Sequence, residues 1–423
     1  MKRLYKERIS SAVEIKERLA EYLASRKEHA AKLLQELIAF KSTARFEHDV
    51  QVFLFDYLNK QGFSPELAPV DENIVCDPDY TIVPGHTNYS GRSNVLVNIP
   101  GSGQGKSAII NSHSDVVPAP DNMFSARYED GVVYGRGACD AKGQVLTVIL
   151  AIEALKALGI KLKGNLQAQL VIEEEPGGNG SLSVIRQGNR ADVVVVLEPT
   201  GLKVHPANRG AVWYKLTVTG KSAHMGKYWD GVSAIDEMVG VINVLRDYEQ
   251  ALREESKGDP LFPFEPSPVN VNIGQIKGGD WPSMVSEKCW IEGGIAFLPN
   301  KRIAQIYEEV RKLIETRASE WTKKHYKLEF SRLHNEAFET DVEHPSVKSF
   351  CDAAGSVLGP EPPLGWIASC DGRLFYHGGQ MPTIVFGAGD LGYAHSLNEQ
   401  IKMDDILRAA QVLTLFLIDW CGA

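Results

Sequence analysis

Apolar residues recur at helical spacing near the start of the chain. Leu19 and Leu23 are followed by Leu33 and Leu37, and residues three or four positions apart lie on one face of a helix. The spacing predicts two amphipathic helices with a break near Ser25.

The middle of the chain shows short apolar runs instead. Residues 95–99, 108–110 and 166–172 have the length and composition of strands. The run 193–197 is apolar throughout and rich in valine, which is typical of a strand buried on both faces of a parallel sheet. The stretch 143–158 is apolar nearly all round, as in a helix packed against such a sheet. We therefore predict an α/β domain with a mostly parallel sheet.

The order of elements changes in the second half of the chain. Six segments follow the order strand, helix, strand, strand, helix, strand, which is the ferredoxin-like α+β pattern. They span residues 212–219, 231–252, 269–276, 288–297, 303–317 and 326–333. Residues 382–386 and 405–420 then predict a further strand and a closing helix of the first domain. We predict one domain of residues 1–206 and 339–423 and an inserted domain of residues 207–338.

Charge and cysteine content narrow the class of protein. The 423 residues carry 45 Lys and Arg against 54 Asp and Glu, a formal net charge of −9, with no basic block. This balance argues against nucleic acid or an anionic membrane as a partner. The six cysteines are scattered without a C-x-x-C pair, as in a reduced cytoplasmic protein. No apolar run is long enough to be a signal peptide or a membrane span. We expect a soluble cytoplasmic protein.

Several familiar motifs are absent or incomplete. The segment Gly101–Ser107 (GSGQGKS) lacks the first glycine of a phosphate loop and precedes a predicted strand, so we predict a hairpin turn there. The chain contains neither a G-x-S-x-G nucleophile elbow nor an H-E-x-x-H helix. These absences argue against serine-hydrolase and zincin chemistry.

Metal-ligating residue types follow the predicted strands. His113 and Asp115 come directly after one strand, and their spacing lets His113 bind a metal while Asp115 orients its other ring nitrogen. The run Glu173-Glu174-Glu175 follows the next strand, and burying three adjacent carboxylates without cations would cost several kcal/mol or force protonation. The carboxyl ends of parallel strands meet at one edge of a sheet, which is where such folds build their sites.

Three further residues extend this set. Glu198 follows the strand 193–197, His395 lies in a loop after the strand 382–386, and Asp140 precedes the buried helix. Taken alone, each suits a capping or loop position. Taken together, two histidines and several carboxylates without a required cysteine favour zinc, with cobalt or manganese as substitutes.

The order of these motifs resembles the co-catalytic zinc aminoacylase and carboxypeptidase family, in particular its acetylornithine deacetylase and succinyl-diaminopimelate desuccinylase branch. The motifs are His-x-Asp, GRGACDAKG, Glu-Glu before Gly-Gly, Glu-Pro, Ser-Ala-His and a late histidine, and the resemblance runs from about Leu33 to the C-terminus. It implies two divalent metal ions per subunit. His113 and Glu198 would hold one, Glu175 and His395 the other, and Asp140 would bridge them.

The resemblance also implies roles for the remaining residues. Glu174 would be the general base that works with a metal-bridging hydroxide, and Asp115 would orient His113. His224, in Ser222-Ala223-His224, would stabilise the oxyanion across a homodimer formed by the inserted lid domain. Arg373 would face a substrate carboxylate, although a structural salt bridge suits it equally.

Our leading hypothesis is a metal-dependent amidohydrolase that removes an acyl group from a small N-acylated amino acid or related amine. A dipeptidase or carboxypeptidase, or an N-formyl-amine deformylase, on the same dinuclear site remains as an alternative. A binding or scaffolding protein on this fold would require loss of ligands or base, and all seven positions are present. The chain has Asp280 and Ala296 where many members of the family have Asn and Arg, so the usual substrate anchor is altered.

Overall fold

The computed structural model describes residues 2–83 and 88–423. Its helices are α1 (Lys2–Ser25), α2 (Lys27–Ile38), α3 (His48–Lys60), α4 (Lys142–Ala157), α5 (Asn179–Arg186), α6 (Ala234–Glu255), α7 (Ile303–Arg317), α8 (Thr322–His325), α9 (Pro345–Leu358), α10 (Gly372–His377) and α11 (Met403–Cys421). Its strands are β1 (Pro65–Pro69), β2 (Ser93–Ile99), β3 (Ala108–His113), β4 (Arg127–Glu129), β5 (Val132–Tyr134), β6 (Leu166–Val171), β7 (Val194–Leu197), β8 (Ala207–Asn208), β9 (Gly210–Thr219), β10 (Asn270–Gly278), β11 (Lys288–Phe297), β12 (Tyr326–Asn335), β13 (Phe338–Glu339), β14 (Gly365–Trp366), β15 (Thr383–Phe386) and β16 (Gln400–Lys402).

These elements form two compact units. The first unit contains residues 1–207, 339–364 and 370–423, and the inserted unit contains residues 208–338 and 365–369. No helix within the described residues combines the length and apolar character needed to cross a membrane.

A six-stranded sheet in the order β1-β2-β6-β3-β7-β15 forms the centre of the first unit. The neighbours β6, β3, β7 and β15 run parallel, whereas β2 runs antiparallel to both β1 and β6. The strand β7 is buried at every position, and α4 is buried from Lys142 to Leu155. The continuous apolar runs of the sequence therefore form a strand and a helix that are buried on all sides. The predicted α/β domain with a mostly parallel sheet is confirmed.

The prediction of a hairpin at residues 101–107 is wrong. The strand β6 lies between β2 and β3 and pairs with both, so the loop crosses the end of β6 instead of joining neighbours. Backbone N–H groups of Ser102 and Gly103 donate to the carbonyls of Leu162 and Lys163, just before β6. These long-range bonds replace the cross-strand bonds that a hairpin would have made.

The inserted unit is an antiparallel sheet in the order β10-β11-β9-β12. Its chain order is β9, α6, β10, β11, α7, α8, β12, so the predicted ferredoxin-like pattern is confirmed with one additional short helix. Along β9, Val212, Tyr214 and Leu216 are buried, while Trp213 and Lys215 on the opposite face are partly exposed. One face of this sheet is therefore packed and the other is open.

Candidate metal centre

The parallel strands bring the predicted ligands to one edge of the first unit. His113 is the last residue of β3, the Glu173–Glu175 run follows β6, and Glu198 follows β7. His395 lies in the loop after β15. Because these four strands are neighbours and point the same way, their following loops converge.

Two adjoining groups of ligand atoms result. Ligand atoms of His113, Glu174 and Glu198 lie within 4.8 Å of one another, and those of Asp140, Glu175 and His395 form a second such group. Asp140 lies where the two groups meet. Its Oδ1 is 3.2 Å from Nε2 of His113, and its Oδ2 is 3.3 Å from Nε2 of His395. The structure therefore brings together all five sequence-predicted ligands and Glu174.

The orientation of His113 follows from its neighbour in sequence. Its Nδ1 lies 3.0 Å from the backbone carbonyl oxygen of Asp115 and 3.4 Å from the carboxylate Oδ1 of Asp115. Since a carbonyl can only accept, Nδ1 donates to it, and Nε2 is directed at the centre, where its lone pair would bind a metal ion once its proton is released. The sequence predicted the pairing of His113 with the Asp115 carboxylate, whereas the backbone carbonyl is the closer partner.

The carboxylate of Asp115 has a second task. Its Oδ1 accepts the backbone N–H of Glu174, and its Oδ2 accepts that of Glu175, each at 3.1 Å. Both bonds fix the turn that presents Glu174 and Glu175. A single buried residue therefore aligns the first ligand and the turn after β6.

The run of three glutamates separates into two environments. Glu173 has a φ of +57°, and its carboxylate accepts bonds from Tyr89, Arg92 and Asn179 at 2.6, 2.6 and 3.1 Å. Its charge is met by protein donors, so it does not add to the charge of the metal centre. The other two glutamates of the run face the two ligand groups.

The electrostatics of the centre indicate that cations belong there. Burial raises the pKa of Glu174 and of Glu198 well above the usual range, although His113 opposes both shifts. Burial also raises the pKa of Glu175 to about 7. Hydrogen bonds to two carboxylates raise the pKa of His395 to about 10. Without metal ions, these side chains thus hold protons that they must release before they can bind a metal.

The donor set fits two divalent ions. The four carboxylates Asp140, Glu174, Glu175 and Glu198 carry four negative charges when ionised, and two divalent cations would balance them. Glu175 Oε1 is buried without a hydrogen-bond partner in the described part of the chain, although its Oε2 lies 3.0 Å from His395 Nε2. Such an unpartnered buried oxygen is available as a metal ligand.

Arg373 is placed behind the turn after β6. Its side chain is buried, and Nη2 donates to the carbonyl of Gly177 at 2.8 Å. The next residue, Gly178, has a φ of +83°, and a Cβ there would come within 2.2 Å of Asp371 Oδ1. This crowding requires glycine at that position. The hydrogen bond from Arg373 to Gly177 thus stabilises the turn that carries Glu174 and Glu175.

One positioning residue was not identified from the sequence. Glu399 is buried, and its Oε1 accepts the backbone N–H groups of Gly137, Cys139 and Asp140 at 2.9 to 3.0 Å. Its Oε2 accepts a short hydrogen bond from Arg136. The only sequence signal is its position four residues after His395. Glu399 holds the loop that presents Asp140.

Arg136 ties that loop to the last ligand. Besides the bond to Glu399, its Nη2 donates to the backbone carbonyl of His395 at 3.3 Å. The segment containing Asp140 and the segment containing His395 are thereby linked by one buried ion pair.

His224 lies in the inserted unit. Its side chain is exposed, and Nδ1 accepts the backbone N–H of Gly226 at 3.0 Å. This bond places the ring proton on Nε2, which points a donor outward. A donor of this kind can stabilise a developing oxyanion.

An α/β sheet edge carrying two adjoining groups of His and carboxylate ligands, one of which includes the partly buried Glu174, is the site of a metal-dependent amidohydrolase. The chain belongs to peptidase family M20/M25/M40, whose sequence profile matches residues 109–419.

Curated relatives agree with this assignment, and a solved structure shares the fold. N-formyl-4-amino-5-aminomethyl-2-methylpyrimidine deformylase of Bacillus subtilis (strain 168) is 26% identical over 94% of this chain and 95% of its own. Acetylornithine deacetylase of Myxococcus xanthus is 28% identical over 76% of this chain and 82% of its own. The crystal structure of aminopeptidase PepT from Bacillus cereus ATCC 10987 has a TM-score of 0.73 at 21% identity and covers 92% of this chain and 98% of that chain.

Proposed function

We propose that this chain hydrolyses the amide bond of an N-acylated amino acid or related small amine. The observation that carries the proposal is the position of Glu174, a partly buried carboxylate whose Oε2 lies 3.9 Å from His113 Nε2 where the two ligand groups adjoin. We propose His113, Glu198, Glu175 and His395 as ligands and Asp140 as the bridge. Zinc suits this donor set best, and cobalt or manganese would substitute.

Glu174 performs the proton transfers in this proposal. Two bound divalent ions would supply an acidified water molecule and polarisation of the amide carbonyl. Burial raises the pKa of Glu174, with Glu198 adding to the shift, which strengthens its carboxylate as a proton acceptor. Glu174 takes a proton from the attacking water and then delivers it to the leaving amine nitrogen. Asp115 keeps Glu174 in place by accepting its backbone N–H.

The acyl group is the finer part of the proposal. A formyl group is a specific second candidate because the two deformylases from Bacillus subtilis and Halalkalibacterium halodurans align with 94% and 96% of this chain. The acetylornithine deacetylase of Myxococcus xanthus aligns with 76%. We therefore place N-formyl amines beside N-acetyl amino acids as substrates.

A substrate panel tests the proposal. The zinc-loaded protein would be assayed for amine release from N-formyl, N-acetyl and N-succinyl amino acids, the N-formyl aminomethylpyrimidine and a set of dipeptides. We expect kcat/KM to be highest for one of the N-acyl compounds. A higher kcat/KM for dipeptides would replace the deacylase with a dipeptidase, and no turnover of any amide would overturn the proposal. Repeating the assay with cobalt and manganese would rank the metals.

We also propose that the protein is a homodimer formed by the inserted unit. Ile235 and Val239 on α6 and Ile276 on β10 are exposed. The two elements adjoin, since a Cβ at Gly278 would lie 3.0 Å from Ile235 Cγ1. The strand β10 is the edge of its sheet, and exposed apolar residues of a helix beside a free edge suit pairing with a second copy. In solution we expect twice the 46.6 kDa of one chain, and we expect Val239→Glu to halve the mass measured by light scattering.

His224 is proposed to act on the metal centre of the partner subunit. Mixing His224→Ala with Glu174→Gln and reassembling the chains tests this. If His224 acts in trans, each mixed dimer has one intact centre, so about a quarter of wild-type activity returns. If it acts within its own chain, no mixed dimer has an intact centre and activity stays absent.

A cytoplasmic location completes the proposal. All six cysteines, Cys76, Cys139, Cys289, Cys351, Cys370 and Cys421, are free thiols, which supports a reducing compartment. Cell fractionation with a tagged chain would test it, and recovery in a secreted fraction would contradict it.

A further inference from the structure

The open face of the sheet in the inserted unit carries a cavity of about 580 Å³. Residues on this face alternate with the buried residues of β9, and β9 packs against α6. The cavity lies over the middle of β9, β10 and β11, and its lining includes Arg209, Trp213, Asn272, Glu292 and Arg332. All of these residues belong to the inserted unit, so the cavity is complete within one unit.

Arg209 lines this cavity, and one nitrogen of its guanidinium is unmatched. Its Nη1 donates to the carbonyl of Pro268 at 2.7 Å. Its Nε is buried and finds no acceptor among residues 2–83 and 88–423, and none of the ion pairs found in that part of the chain includes it. The Nε and Nη2 edge of a guanidinium is the fork that binds a carboxylate through two parallel bonds. A partly buried cation without a carboxylate favours a ligand that supplies one.

The other charges around the cavity do not neutralise Arg209. Glu292 is the acidic residue of the lining, and it already lies 3.5 Å from Lys215 Nζ and 4.0 Å from Arg332 Nη1. A second carboxylate of this face, Glu329, is the cross-strand partner of Lys215 and pairs with Lys327 at 2.7 Å, so both carboxylates have cationic neighbours other than Arg209. In a chain with a formal net charge of −9, such a local positive surplus favours an anionic ligand.

An aromatic surface lies beside these cations. Trp213 is 41% exposed although it sits in the middle of a strand. Its cross-strand partner is Gly294, and a Cβ at Gly294 would lie 3.5 Å from the Trp213 ring and 3.6 Å from the backbone oxygen of Val212. Because glycine has no side chain to cover it, the indole remains open to a flat group.

We propose that this cavity binds a small aromatic carboxylate, with the carboxylate on Arg209 and the ring against Trp213. Arg332 adds a second cation at the rim. The proposal concerns ligand recognition by the inserted unit alone, and it does not depend on the proposed amide hydrolysis. Binding of a neutral aromatic amide would be much weaker, since the Arg209 fork requires a charged acceptor.

Fluorine NMR of the zinc-loaded full chain tests the proposal. The seven tryptophans would be replaced by 5-fluorotryptophan, and Trp213→Phe would identify the resonance of Trp213. Benzoate is the probe and benzamide its neutral control. We expect benzoate to shift the Trp213 resonance in a saturable way, and benzamide to leave it unmoved. Benzoate that binds only to the metal ions would inhibit turnover without this shift, so failure here and failure of the proposed function are distinguishable.

Three variants localise the binding. We expect Arg209→Gln to weaken the benzoate response by about tenfold or more, and Arg332→Gln, at an exposed position, to weaken it less. Lys327→Gln is the matched control, because Lys327 lies on β12 and pairs with Glu329 at 2.7 Å. Equal benzoate affinity in wild type and in both arginine variants, or an equal response to benzamide, would overturn the proposal. If Arg209→Gln fails to fold, Arg332→Gln and the benzamide comparison still decide the outcome.

Discussion

Glu174 and Glu175 are adjacent in sequence, yet they belong to different ligand groups. Glu174 lies with His113 and Glu198, and Glu175 lies with His395. We predict that Glu174→Gln lowers kcat by roughly 10²- to 10⁴-fold, the usual contribution of a general base. Metal content, measured by elemental analysis, should stay at two ions per chain. Exposed Glu72 gives a control, Glu72→Gln, that should retain full activity.

Two results would contradict this role for Glu174. Turnover within tenfold of wild type would mean that another group moves the proton. Loss of one metal ion per chain would make Glu174 a ligand, since its carboxylate also lies within 4.8 Å of the ligand atoms of His113 and Glu198.

Glu399 acts on the centre through backbone groups. Its Oε1 accepts the backbone N–H groups of Gly137, Cys139 and Asp140. We predict that Glu399→Ala weakens zinc affinity by about 10- to 100-fold, as for other residues that orient metal ligands. Glu399→Gln keeps an acceptor oxygen and should recover part of the loss. Competition with a zinc chelator would measure both. Unchanged affinity in the alanine variant would remove Glu399 from the centre.

At the residue scale, the sequence predicts the candidate metal ligands better than the residues that position them. His113, Asp140 and Glu198 could be selected because strand ends converge and because their side chains are ligand types. Glu399 and Arg136 could not be selected in this way. Their partners are backbone groups and a carbonyl far away in the chain, and no local pattern encodes such bonds.

At the element scale, a buried ion cluster joins α3, β2 and the turn after β6. Arg92 Nη2 lies 2.8 Å from Glu47 Oε1 and 2.6 Å from Glu173 Oε1. One guanidinium thus faces two carboxylates. Burial, opposed by Arg92, raises the pKa of Glu47 from 4.5 to about 7, so the folded chain holds a proton there that the unfolded chain releases.

This shift makes stability depend on pH in a defined direction. The contribution of Glu47 is fully present below pH 4.5 and is lost as pH rises through about 7. We predict that wild type loses up to about 3 kcal/mol relative to Glu47→Gln between pH 5 and pH 8. Urea unfolding of both chains with chelated metal would measure the difference. A constant difference, or one that favours wild type at higher pH, would contradict the prediction.

Strand pairing shows what local patterns cannot predict. The runs that became β2 and β3 were identified from their apolar content, yet their partner β6 comes more than fifty residues later. A short glycine-rich loop suggests a hairpin when only its neighbours are considered. The ferredoxin-like order was easier to predict, because six elements in sequence specify that pattern together.

At the scale of the whole molecule, the acidic balance of the chain is partly a property of its metal centre. Four carboxylates of the centre lie at one sheet edge, and two divalent ions would change the formal charge from −9 to −5. Their mutual repulsion in the metal-free protein opposes folding, because burial disfavours unpaired charges. Metal binding should therefore stabilise the first unit as well as enable catalysis.

Chelation followed by zinc addition tests this coupling. We predict that removing the metal lowers the melting temperature and that zinc restores it, since free zinc at 100 times Kd stabilises a single site by about 2.7 kcal/mol. The stabilisation should be smaller in His113→Ala, which removes a buried ligand, and unchanged in His48→Ala, an exposed histidine of the same unit. Calorimetry would record all three chains. An equal rise in melting temperature in the His113 variant would mean that the stabilising zinc ions bind at another site. No rise in wild type would contradict the coupling, because protons alone would then balance the carboxylates of this sheet edge.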